Sequence, residues 1–79
     1  AAKNNQPEYE IGYIAKNISN FLRSIDAESR LVFIRRYWYS DSINDISLRF
    51  GMSISKTKSL LFRTRNKLRN YLEKEGVVL

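Results

Sequence analysis

Neither cysteine nor histidine occurs among the 79 residues. Without thiols there is no disulfide and no thiolate metal site. Without imidazole, the commonest general base and the commonest zinc ligand are both missing. The eight acidic residues are scattered and form no convincing pair for carboxylate catalysis. No enzymatic activity, metal or cofactor is therefore expected. Long apolar runs are also lacking. No stretch approaches the roughly 18 residues that span a bilayer, and no secretory apolar region stands near the N-terminus. The expectation is a cytoplasmic protein with no membrane partner. A chain this short buries only about 60% of its unfolded surface, which leaves one modest core and no room for a buried active site. Residues 1–79 are read as one domain. Five tyrosines, four phenylalanines and a tryptophan mark it as globular rather than disordered.

Charge is present in one sign more than the other, and its placement matters more than its size. The net charge is +6. Residues 56–69 hold six bases (Lys56, Lys58, Arg63, Arg65, Lys67 and Arg69) and no acid, so everything outside that run sums to zero. A basic excess gathered in one element implies a polyanionic partner.

Apolar spacing predicts four helices and no strand, an all-α chain. Ile11, Ile14, Ile18, Phe21, Leu22 and Ile25 recur at intervals of three and four after Pro7, a residue suited to a first helical turn, which predicts a helix over 8–24. Asp26 is a candidate N-cap for a second helix over 27–39, with Glu28 near its positive end. Its apolar face reads Leu31, Ile34, Tyr37 and Trp38, with Phe33 off the stripe. Residues 8–39 thus form two leading helices. Ser42 opens a third helix with a buried stripe of Ile43, Ile46 and Phe50, and Gly51 ends it in a conformation that glycine adopts cheaply. Ser53 caps a fourth helix that runs to about Lys74.

Two helices joined by a tight glycine-bearing turn over 42–74 suggest a helix-turn-helix, here without a wing. Ser47 is small where the helices should cross. Thr57 and Leu60, six and nine residues after Gly51, should face back onto the third helix. An ordinary helical hairpin is the plainer reading. On a wheel of about 100° per residue, Ile54, Thr57, Leu60, Leu61, Thr64, Leu68, Tyr71 and Leu72 share the inward face. The opposite face reads Ser55, Ser59, Phe62 and Asn66, flanked by Lys58, Arg65 and Arg69 on one side and by Lys56, Arg63 and Lys67 on the other. Flanking cations suit phosphates, and short polar or apolar groups suit base edges. A solvated helix face is the usual fate of such charges, but it normally carries interspersed acids. Spacing leaves Phe62 with two readings: packing on a neighbour, or contact with a thymine methyl.

Residues 31–72, LVFIRRYWYSDSINDISLRFGMSISKTKSLLFRTRNKLRNYL, resemble region 4 of the sigma-70 family, in particular the extracytoplasmic-function group. An aromatic-rich helix precedes a helix-turn-helix whose second helix follows the pattern S-x-x-x-V-K-S-x-L-x-R-A-R-x-x-L, here Ser53, Thr57, Lys58, Ser59, Leu61, Arg63, Thr64, Arg65 and Leu68. The lead-in NFLRSIDAESRLVF is similar too. Thr57 departs from the usual valine but keeps β-branching. Leu60 departs from a common arginine and removes a phosphate contact.

The resemblance implies that the fourth helix enters the major groove of the −35 promoter element while the domain docks on the β flap of RNA polymerase. Lys58, Ser59, Phe62 and Arg63 match the family's DNA-facing surface, which favours the DNA reading of Phe62. The full DNA-facing set expected is Ser55, Lys56, Lys58, Ser59, Phe62, Arg63, Arg65, Asn66 and Lys67. Leu31, Ile34, Tyr37 and Trp38 are the candidate polymerase contact, with core packing as their plainer role. An anti-sigma factor is a further expected partner. The promoter-opening region 2 of the family has no counterpart, so the chain is read as the C-terminal domain of a larger sigma factor or a standalone relative. The competing readings are a protein-interaction module in which DNA is secondary, another helix-turn-helix regulator, and a basic amphipathic helix lying on an anionic membrane.

Overall fold

A computed structural model describes residues 8–77. Pro7 and the side chain of Ile11, both used in the sequence reading, lie outside the described residues. Four helices follow one another: α1 (Glu8–Ser24), α2 (Ala27–Tyr37), α3 (Ile43–Phe50) and α4 (Ile54–Lys74). No strand occurs among the described residues.

The starts of α2, α3 and α4 are each fixed by the side chain expected to fix them. Asp26 accepts from the Ser29 N–H, Ser42 from the Asp45 N–H and Ser53 from the Lys56 N–H, each at 3.0 Å. Each bond satisfies one of the donors that a helix N-terminus leaves unpaired. Gly51 stops α3 at φ 64°, where the Met52 N–H reaches Ser47 O at 2.9 Å and the Gly51 N–H reaches Leu48 O at 3.4 Å. That pairing closes α3 and swings the chain into α4 within three residues.

Helix α4 is the organiser and packs against all three others. Its buried line runs through Thr57, Leu60, Leu61, Thr64 and Leu72, and Leu60 and Leu61 form one cluster with Val32 of α2 and Ile46 of α3. Ile43, Phe50 and Met52 close the edge of that core. Ser47 is buried at the α3–α4 crossing, where a small residue was expected, and its hydroxyl donates to Asn44 O at 2.9 Å. Farther along, Phe21 of α1 sits against the Tyr71 ring at 5.6 Å. Ile54 departs from the inward face and is exposed, because it is the first residue of α4 and lies beyond the packed stretch.

Helix α2 departs from its sequence reading in two ways. It ends at Tyr37, two residues earlier than expected. Ser40 adopts a left-handed φ of 59°, and the corner folds back on the helix end. The Asp41 N–H reaches Arg35 O at 3.0 Å, Arg36 Nη1 donates to Asp41 O at 2.9 Å, and Arg35 Nε pairs with the Asp41 carboxylate at 2.7 Å. Second, the core-facing residue is Val32, fully buried, while Leu31, Tyr37 and Trp38 are exposed and Ile34 is half-buried. The inward line carries Ser29 and Arg36 beside Val32, and polar residues on that line disguised it. Arg36 and Arg30 lay their aliphatic stems along the protein and send their heads to backbone carbonyls.

Candidate nucleic-acid interface

The three-residue turn of Gly51, Met52 and Ser53 sets the direction of α4, and burial of Thr57, Leu60, Leu61 and Thr64 fixes its rotation. The opposite face is left outward by the same packing. Ser55, Lys56, Lys58, Ser59, Phe62, Arg63, Arg65 and Lys67 are exposed and Asn66 is half-buried. The set expected from sequence therefore stands on one side of one helix. Two buried threonines on its inward face satisfy their hydroxyls within the helix itself. Thr57 Oγ1 donates to Ser53 O at 2.9 Å, and Thr64 Oγ1 to Leu60 O at 2.8 Å.

Phe62 is 58% exposed and takes part in neither of the two ring pairs among the described residues. More than half of its surface is left to solvent. Among the described residues both ion pairs end on Asp41, from Arg35 and Arg49. None of the seven cations of α4 has a carboxylate within salt-bridge distance there. The first turn of α4 carries no acid, so the partial positive charge of the helix end is left uncompensated.

The cations are not all equivalent. Lys56, Lys58 and Arg63 stand on the half of α4 nearest the turn. Arg65 donates from Nη1 to Tyr37 Oη of α2 at 2.8 Å. Lys67 borders a depression with Asp26, and its charge is one of the influences on that carboxyl. The Asp26 carboxyl is held below its ordinary value, chiefly by the Ser29 backbone N–H, then by the Ser29 hydroxyl, and least by Lys67.

A second surface lies on the α1–α2 side. Ile18, Leu22, Ile34, Tyr37 and Trp38 line an open apolar groove of about 580 Å³ that also reaches Leu68 of α4. Three of the four residues named as a polymerase contact are thus brought together, and Leu31 stands apart from them. Trp38 is 81% exposed, which excludes the core role that was its plainer reading. Phe33 and Tyr39, unassigned in the sequence, belong to the same groove. The signal for Phe33 was its four-residue spacing from Tyr37, which puts the rings at 4.8 Å. No helix among the described residues is long and apolar enough to cross a membrane.

None of the curated proteins matches the chain. The family model described as sigma-70, region 4 matches residues 21–70.

Proposed function

This chain belongs to the sigma-70, region 4 family, and on that premise we propose which of its residues carry the family's activity. Region 4 is the DNA-binding part of a sigma factor, and it recognises the −35 promoter element in transcription initiation by RNA polymerase. Here α4 is the helix that lies in the major groove. Ser55, Ser59, Phe62 and Asn66 face base edges, and Lys56, Lys58, Arg63 and Lys67 meet the flanking phosphates, with Arg63 placed to reach a base as well. Arg65 borders this face on the α2 side. The observation that carries the assignment is the outward face of α4, free of acids, with a half-exposed aromatic between unpaired cations.

The role is non-catalytic, and the four helices act as one domain of an extracytoplasmic-function type sigma factor working in the cytoplasm. The apolar groove along Ile34, Tyr37 and Trp38 supports docking on the β flap of the polymerase, and the same groove suits an anti-sigma factor. Salt separates the two roles. Each phosphate neutralised adds about −0.9 to the log–log slope of DNA binding, whereas apolar docking survives salt that screens exposed charge. Footprinting of a reconstituted holoenzyme tests the base-reading face. Alanine at Lys58, Ser59, Phe62 or Arg63 is expected to weaken protection of the −35 region, and unchanged protection in all four would refute the assignment.

A further inference from the structure

Among the described residues both ion pairs end on Asp41, and Asp41 stands where α2 hands over to the helix-turn-helix. It immediately precedes Ser42, the N-cap of α3. An apolar side chain at that position commonly packs on the fourth residue of the helix and fixes the entry angle of the chain. Here the fourth residue is Ile46, buried in the core, and the position before the cap holds an acid. Its charge is answered from two helices. Arg35 Nε of α2 lies 2.7 Å from Asp41 Oδ2, and Arg49 Nε of α3 lies 4.0 Å from the same oxygen. The Arg35 guanidinium carbon also sits 4.2 Å from the centre of the Tyr39 ring. The Asp41 side chain is 17% exposed and that of Arg35 26%, so salt screens this pair less than an open surface pair.

Val32 is the one α2 residue in the buried cluster that holds Ile46 of α3. A single point of contact sets the distance between two helices but not the swing of one about the other. In a helix-turn-helix the first helix crosses the DNA backbone while the second reads the groove, so the swing of α3 decides whether both meet one duplex. We propose that Asp41 is a positioning residue for DNA binding. Its carboxylate ties α3 to α2 through Arg35 and Arg49 and holds the helix-turn-helix in the pose that a duplex requires. The inference rests on the reading of α4 as the recognition helix, and Asp41 acts through the two arginines rather than on DNA itself.

The chain has no cysteine, so a pair of spin labels can be placed without background. Labels at Glu28→Cys of α2 and Leu48→Cys of α3, both exposed positions, report the separation of the two helices by double electron–electron resonance. One narrow distance distribution is expected with Asp41 in place, and Asp41→Ala should broaden it. In the unlabelled full chain a looser corner lowers the fraction in the binding pose, and apparent affinity falls in proportion. Asp41→Ala is expected to weaken binding of the duplex that the wild type enriches from random sequence by about tenfold. Mismatched duplexes should weaken by the same factor, because no base contact is lost. Arg35→Gln should match that loss, and the double variant should cost no more than either change alone. Should Asp41→Ala not fold, Arg35→Gln carries both measurements. The proposal is overturned if the distribution stays narrow, if the losses add, or if the variants bind as tightly as a wild type that binds duplex. If the DNA assignment itself fails, the wild type binds no duplex while the label distances still broaden.

Discussion

Phe62 is the residue on which the assignment turns. An exposed apolar ring at the centre of a polar helix face gains nothing from the fold that holds it. Phe62→Ala should therefore leave thermal stability unchanged and reduce discrimination between promoter duplexes. Arg63→Ala is expected to cost about 1–3 kcal/mol at the base it contacts and to relax preference there. Lys67→Ala should instead weaken all sequences alike and reduce the salt slope by about 0.9. Titrations of matched and mismatched duplexes across salt distinguish these patterns. Thr57 makes the opposite case. Its hydroxyl is fully buried and bonds to Ser53 O, which already accepts the Thr57 N–H at 3.0 Å. Thr57→Val leaves no orphaned group and adds apolar burial, so it should be neutral or stabilising by up to about 1 kcal/mol in a denaturant melt.

At the scale of elements, the turn between α3 and α4 holds the recognition geometry. A Cβ at Gly51 would meet nothing within 4 Å, so any cost of Gly51→Ala is in the backbone at φ 64°. That cost is about 1–2 kcal/mol, and chemical denaturation measures it. The cap of α2 adds a pH dependence. Asp26 has its carboxyl pKa lowered by the Ser29 N–H, so its contribution is present above the ordinary value of 3.8 and is lost as pH falls below it through the depressed value. Asp26→Asn keeps a capping oxygen and should flatten that acid limb in thermal melts. Caps, turn glycine and helix spacing were all legible in the sequence because each acts locally. The face of α2 was not. Its inward line is set by how the short helix lies across α3 and α4, and Arg36 on that line reads as surface until its head is seen on Asp41 O. The same nonlocal cause hid the groove, since Ile18, Ile34 and Leu68 come from three helices.

At the scale of the molecule, one helix serves every surface. Helix α4 builds the core through Leu60 and Leu61, offers Phe62 and its flanking cations outward, and contributes Leu68 to the apolar groove. A shift of its axis would disturb all three, which is why a small core is packed chiefly along it. Arg65 shows the division most plainly, standing in the basic run by sequence and bonded to α2 in the structure. The central claim is that α4 reads a promoter sequence while the domain is held on RNA polymerase. Selection of bound DNA from random duplexes, with polymerase core present, tests it most directly. The wild type should enrich a single short motif, and Phe62→Ala and Arg63→Ala should blur that motif at separate positions. Enrichment of no motif by the wild type, or of the same motif by both variants, would contradict the account.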